Sequence, residues 1–296
     1  MPELPEVETV CRGLAPVLSG QIIASVKLAR PDLRFPLPDR FAQRLEGRRV
    51  RSVSRRAKYI LAHLDDDSVL AMHLGMTGRF TIAAKDKAAP EPLGEYVYGH
   101  GADARHDHVV FRLKNGAVIT YNDARRFGYM SLIASQDLAH DPFFANLGVE
   151  PLGDDLTPEY VAAKAAGRKS DIKAFLMDQR IIAGLGNIYV CEALYRARLK
   201  PTLPAGRLAA RGAKPSDAAR RLVPHIKAVL TEAILAGGST LRDYQHTDGS
   251  SGSFQESFSV YGREGEPCLT PGCKGTVRRK TQGGRSTFFC GVCQRT

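Results

Sequence analysis

At 296 residues the chain exceeds one average domain, so two domains are expected, and its 43% apolar content is enough to build their cores. Lysine and arginine outnumber aspartate and glutamate 42 to 31, a net charge of +11 that points to nucleic acid as partner, with a merely solubilising basic surface as the plainer alternative. No apolar run is long enough to cross a bilayer and the acidic start lacks the layout of a secretory signal, so no membrane partner and a soluble cytoplasmic protein are expected.

The chain opens MPELPEVETV. Val7, Val10, Cys11 and Leu14 recur at helical spacing, which predicts one apolar helical face. Glu3, Glu6 and Glu8 near its start suit the positive end of the helix dipole. Cys11 reads as a core residue of that face. From Gln21 to Leu132 the pattern is mainly β, with RRVRSV, YILAHL and SVLAMHL as predicted strands. DHVVFRLKNGAVITYND is a predicted hairpin turning on Asn115-Gly116, the favoured two-residue turn. Several short strands of this kind predict a sandwich or barrel. The stretch from Ala83 to Ala104, rich in Ala, Pro and Gly, reads as a flexible insertion.

Beyond residue 135 helices take over. Thr157-Pro158-Glu159 is a helix start, and that helix runs to Gly167. SDIKAFLMDQRII predicts another helix, broken by GLGNIY and resumed in VCEALYRARL. Ser216 caps a longer helix carrying Leu222, Ile226, Val229 and Ala233, stopped by Gly237-Gly238. Ser239 to Ser253 is polar and glycine-rich, hence a mobile loop. The predicted class is α+β: a β-rich domain over 1–135, a linker over 136–155, a helical domain over 156–260 and a ribbon over 261–296.

The ribbon carries the strongest chemical signal. Cys268, Cys273, Cys290 and Cys293 form C-x4-C-x16-C-x2-C, two short pairs separated by a hairpin-sized spacer. Such pairs supply four thiolates in a tetrahedron, the closed geometry of a structural zinc ion. Arg278, Arg279, Lys280 and Arg285 put a basic edge on the same hairpin, for phosphate contact or as a solvated face.

Other stretches are more ambiguous by themselves. With Met1 clipped, Pro2 carries a free secondary amine, and α-amino groups titrate at about 7.7–8, so a share is neutral near pH 7. A neutral amine attacks a carbonyl to give an iminium, and Glu3 beside it is placed to move protons. The plain alternative is an idle neighbour of the initiator. RRAKYI places Lys58 on a strand inside a basic run. HLGMTGRF puts Met76 on a turn after a strand, and NDARRFGY puts Arg125, Arg126 and Phe127 directly after the hairpin. A protein that opens a duplex needs apolar wedges flanked by cations, which Met76, Arg125 and Phe127 supply; core packing and ion pairing are the alternatives. GLGNIY, with Asn187, reads as a phosphate clamp at a helix N-terminus or as a tight interhelical turn. Arg168 and Lys169 serve the same strand or face solvent.

Together PELPEVET, RRAKY, HLGMTG, HDHV, DARRFG, IKAFLMDQ, GLGNIY, YGREGEPC and the ribbon resemble, in order and over nearly the whole chain, the bacterial formamidopyrimidine-DNA glycosylases, base-excision enzymes for oxidised purines. The resemblance implies an N-terminal β-sandwich flanked by helices, a helix–two-turn–helix domain with a base-capping loop, and a zinc hairpin. It implies Pro2 as the nucleophile at the sugar C1′, Glu3 as the acid/base that opens the deoxyribose, Lys58 as an aid to the first elimination and Arg285 to the second. It implies that His73, His106, Arg125, Arg126, Lys169 and Asn187 hold DNA, and that Met76, Arg125 and Phe127 fill the gap left by the flipped base. It further implies one structural Zn2+, a double-stranded DNA partner containing oxidised purines, a monomer, and a nucleoid-associated place in the bacterial cytoplasm. The chain departs from the family pattern in its C-x4-C first pair, where C-x2-C is commoner, and in a long segment before HDHV. The rivals are the sister class for oxidised pyrimidines, endonuclease VIII, against which PELPE and DARRFG argue, a non-catalytic zinc-ribbon DNA binder, and a homologue that binds damage without cutting, against which the intact Pro2, Glu3, Lys58 and Arg285 argue.

Overall fold

The computed structural model describes residues 2–83, 91–92, 103–239 and 253–295. They divide into two compact units, Met1–Ala145 with Ala236–Ser253, and Asn146–Leu235 with Phe254–Thr296. Of the two loops expected to be flexible, 84–90, 93–102 and 240–252 lie outside the described residues.

The first unit opens with α1 (Leu4–Leu18), whose Val7, Val10, Cys11 and Leu14 are buried as the spacing predicts. Burial pushes the Cys11 thiol up to about 11, so it stays protonated and packs as an apolar group. Two antiparallel sheets follow. One is ordered β2-β3-β4-β9: β2 (Val50–Arg56), β3 (Tyr59–Leu64), β4 (Ser68–His73) and β9 (Tyr129–Ala134). The other is ordered β1-β7-β8-β5-β6: β1 (Ile23–Leu28), β7 (Asp107–Leu113), β8 (Val118–Asn122), β5 (Arg79–Ala83) and the short β6 (Glu91–Pro92). Leu14 of α1, Ile60 of β3, Met72 of β4, Phe80 of β5, Phe111 of β7 and Ile119 of β8 share one core. Each such side chain, fully buried, contributes about 1.5–3 kcal/mol. A short α2 (Phe41–Leu45) buries Phe41 and Leu45 in the same core.

The β7–β8 hairpin forms where expected, with a different turn. Leu113 N donates to Ala117 O and Gly116 N to Leu113 O, so three residues, Lys114, Asn115 and Gly116, make the loop. Gly116 sits at φ 90°, the left-handed position that glycine supplies in three-residue loops. Lys58 is corrected too. It lies in the two-residue turn between Arg56 and Tyr59 rather than on a strand, with Ala57 at φ 52°. Neither Ala nor Lys announces a turn that demands positive φ.

The second unit is helical: α3 (Pro158–Ala165), α4 (Ile172–Met177), α5 (Asn187–Arg196) and α6 (Asp217–Leu235) precede the hairpin β10 (Val277–Gln282) and β11 (Arg285–Cys290). Thr157 caps α3 through Tyr160 N, as its position suggests. Helix α5 packs against α4, α6 and β11. Its buried Glu192 accepts the backbone N–H groups of Ser259, Val260 and Tyr261, which fixes the approach to the hairpin. Cys191, Tyr195, Val260, Val277 and Phe288 pack with the hairpin cysteines in a second core. Among the described residues, no helix is long and apolar enough to cross a membrane.

Candidate active site

Pro2 and Glu3 stand at the tip of α1, both buried. Glu3 is the N-cap. Its backbone N–H donates to Glu6 Oε2 at 2.7 Å, while its own carboxylate accepts the Glu6 backbone N–H, a reciprocal capping box. The other Glu6 oxygen, Oε1, accepts Ser239 N at 2.9 Å and Ser239 Oγ at 3.1 Å. One buried carboxylate therefore holds both the Pro2–Glu3 dipeptide and Ser239. Helix α1 packs on β2 and β3, the hairpin whose turn presents Lys58.

His73 closes β4. Its ring stacks on Tyr129 at 5.2 Å and 12°, and its Nδ1 accepts Gly75 N at 3.0 Å. Burial first, then the positive charges of Lys58 and Arg34, push its pKa down to about 4. The imidazole is neutral at pH 7, and the Gly75 bond places its proton on Nε2.

The turn 74–78 carries Met76, and the loop 123–128 carries Arg125, Arg126 and Phe127. Both connect one sheet to the other, between the terminal pairs His73↔Tyr129 and Arg79↔Asn122, so the topology sets them side by side. Met76 is half-buried, Phe127 is 42% exposed, and the Arg125 guanidinium lies 4.7 Å from the Phe127 ring centroid. Arg34, Arg125, Arg126 and Phe127 with Leu33 line a cavity of about 340 Å3. Its chemistry, three guanidinium groups around an exposed ring, suits a nucleobase beside phosphates. His106, half-exposed, precedes β7 and accepts Asp123 N through its carbonyl.

In the second unit Lys169 is exposed ahead of α4. The GLGNIY segment is a built turn: Gln179 Oε1 accepts Gly184 N, and its Nε2 donates to Met177 O and Leu185 O. Asn187 opens α5, and its Nδ2 donates to Ser286 O at 2.9 Å and to Tyr261 Oη. Lys173, 1% exposed, donates to Thr287 Oγ1 at 2.6 Å and to Ser286 O. Asp171 accepts Gln282 Nε2 at 2.6 Å. These three side chains grip the strand ends around the exposed Arg285, at the rim of a cavity of about 350 Å3 that Lys280 and Lys173 also line.

The four cysteine sulfurs all lie within 4.8 Å of one another, with Cys268–Cys293 at 3.6 Å and Cys273–Cys290 at 3.7 Å. Thiolates at about 2.3 Å from a tetrahedral ion stand about 3.8 Å apart, so the four fit one metal ion. The longer first pair closes without strain on that geometry. Cys273 N donates to Thr270 O, Gly272 takes φ 75°, and Thr270 N and Gly275 N donate to the Cys268 and Cys273 sulfurs.

The family model for the formamidopyrimidine-DNA glycosylase N-terminal domain matches residues 1–130, and that for its H2TH domain matches 147–245. The formamidopyrimidine-DNA glycosylase of Methylobacterium nodulans is 59% identical over 294 residues, 99% of each chain. The chain belongs to the formamidopyrimidine-DNA glycosylase family. It is a base-excision repair glycosylase with the abasic-site lyase activity typical of that family. The MutM (Fpg) structure from Thermus thermophilus covers 99% of this chain and 98% of its own, with a TM-score of 0.79 and 37% identity. A Lactococcus lactis Fpg mutant in complex with Fapy-dG-containing DNA covers 100% of both chains, with a TM-score of 0.82 and 32% identity.

Sequence reasoning about this glycosylase missed Glu6, Asp123 and Lys173. Glu6 stands three residues after the N-cap, the capping-box spacing, and that signal was available. Lys173 lies three and four residues before the apolar Leu176 and Met177 on a helix of buried side chains, a weaker sign. Asp123 carries no sequence mark, because its partners come from three separate stretches.

Proposed function

We propose that this glycosylase removes oxidised purines, 8-oxoguanine and formamidopyrimidines, from double-stranded DNA through a Schiff base on Pro2, and then cuts the strand by β,δ-elimination. The observation that carries this reading is the buried capping box, which fixes Glu3 and, next to it, Pro2, a secondary amine once Met1 is removed, at a helix tip. The Pro2 nitrogen attacks C1′ and the damaged base leaves with a proton. Glu3 protonates the ring oxygen, so the deoxyribose opens to an iminium. A secondary amine gives an iminium with no N–H to lose, which keeps C2′ acidic for elimination of the 3′-phosphate. Lys58 assists that step and Arg285 the second elimination. His73, His106, Arg125, Arg126, Lys169 and Asn187 hold the strands, and Met76, Arg125 and Phe127 occupy the vacated space.

Bases are extruded at a cost of a few kcal/mol, least at damaged pairs, which favours lesion selection. The four cysteines hold one zinc ion, whose role is to keep the hairpin folded around Arg285. The domain assignment follows the chemistry: a catalytic sandwich over 1–135, a linker over 136–155, the helix–two-turn–helix region with its capping loop over 156–260, and the zinc finger over 261–296. One Pro2–Glu3 site per chain supports a monomer, acting on the nucleoid in the bacterial cytoplasm.

The test is borohydride reduction with a duplex carrying one 8-oxoguanine opposite cytosine, followed by mass mapping. A cross-link on an N-terminal Pro2 is expected. A cross-link on Lys58, or none at all, overturns the mechanism. Trapping with an oxidised pyrimidine alone moves the substrate class to that of endonuclease VIII.

A further inference from the structure

Between the two wedge loops lies a buried polar hub that the reaction does not use directly. Asp123 is 0% exposed. Its Oδ1 accepts Thr77 Oγ1 at 2.5 Å, and its Oδ2 accepts Gly128 N at 2.9 Å and Tyr121 Oη at 3.2 Å. Thr77 Oγ1 in turn accepts Arg125 N at 3.1 Å, so one hydroxyl of the 74–78 turn is tied to the 123–128 loop at two points, the Arg125 backbone and the Asp123 carboxylate. The Asp123 backbone is committed as well: its N–H donates to His106 O, its carbonyl accepts Arg126 N, and His108 Nε2 lies 2.9 Å from that carbonyl. The loops meet backbone to backbone. A Cβ on Gly75 would collide with Phe127 and Gly128, and one on Gly78 or Gly128 would collide with the Tyr121 hydroxyl.

We propose that Asp123 is a positioning residue that fastens the Met76 turn to the Arg125–Phe127 loop, so that the three side chains enter the duplex as one rigid wedge. The proposal rests on the wedge role given to those side chains above. Inserting a wedge works against base stacking, at a few kcal/mol per step. Two separately hinged loops would yield to that load. Two loops joined through one fully hydrogen-bonded carboxylate, with Gly75 packed directly on the Phe127–Gly128 backbone, would not. Asparagine replaces it poorly. With its one acceptor oxygen on Gly128 N and Tyr121 Oη, its NH2 faces the Thr77 hydroxyl, which already accepts Arg125 N and so loses the acceptor it donates to.

The experiment compares Asp123→Asn, Thr77→Val and Thr77→Ser with the parent enzyme on two substrates under single turnover. One is a duplex with 8-oxoguanine opposite cytosine. The other is a single strand with a preformed abasic site, which needs no wedge. Asp123→Asn and Thr77→Val should slow duplex excision by about tenfold or more at saturating enzyme, with abasic cleavage within about twofold. Thr77→Ser, which restores the hydroxyl, should recover duplex excision. The double variant should be no slower than the worse single one, because both break the same link. Equal losses on both substrates, or none on the duplex, overturn the latch. Phe127→Ala is the reference. If it excises like the parent, the wedge reading itself fails and takes the proposal with it; if it is slow while Thr77→Val is not, the latch alone fails.

Discussion

His73 must stay neutral for the turn after β4 to hold its shape, since protonating Nδ1 would set two donors against each other at Gly75 N. Its folded pKa of about 4 lies below the ordinary 6.5. The unfolded chain therefore binds the extra proton first, and the stability this residue contributes is present above pH 6.5 and is lost as pH falls toward about 4. Urea midpoints measured across that window should fall more steeply for the parent than for His73→Gln, which has no ring to titrate; equal slopes would refute the assignment. Glu6 gives a second residue-scale expectation. Glutamine has one acceptor oxygen where Glu6 uses two, so Glu6→Gln must release either Glu3 N or Ser239. A lost cap costs about 0.5–2 kcal/mol, and a displaced nucleophile costs more in rate. Strand cleavage at a preformed abasic site should slow by about ten- to a hundredfold, read by single-turnover gel assay, with unfolding stability changed by no more than the cap.

At the scale of elements, what the sequence disclosed was periodicity. Helix α1, the strands β2, β3 and β4, and α6 all declare themselves by apolar spacing, and the structure places them accordingly. The exceptions have local causes. SDIKAFLMDQRII stops being helical at Met177 because Asp178 turns its carboxylate to Arg180 N and the Arg180 guanidinium, while Gln179 turns inward to build the next loop. Both side chains compete with the helix for their own backbone. The hairpin signal in β10–β11 was legible from Gly283-Gly284, yet its anchoring by Asp171, Lys173 and Asn187 was not, since each partner lies about a hundred residues away. That anchoring makes the hairpin a firm mount for its cations. In Arg285→Ala, the slope of log affinity against log salt should become shallower by about 0.9, the value of one phosphate contact. Fluorescence anisotropy with a lesion-free duplex across a salt series measures it. An unchanged slope would mean that Arg285 faces no phosphate in the complex.

The described residues form two compact units, each with a buried core of its own. The first core draws on α1 and both sheets, all within Met1–Ala145. The core around the cysteines draws on α5, Val260 and the hairpin, all within the second unit. Metal contributes directly to the folding of such small ribbons, and without it four thiols are left to pack where an ion belongs. Removing the metal with a chelator should therefore open the hairpin while sparing the sandwich. Hydrogen exchange read by mass spectrometry reports each region separately. Peptides from β10 and β11 should lose protection, and so should the 259–261 segment held by Glu192. Peptides from α1, β3 and β4 should keep theirs. Duplex affinity should fall with the loss of Arg285 and its neighbours, and strand cleavage should fall in proportion to bound DNA, because Pro2, Glu3 and Glu6 remain in place. Loss of protection throughout α1 and β3 would show instead that the two cores unfold as one. The metal would then stabilise the nucleophile's own scaffold, and cleavage would drop further than binding does.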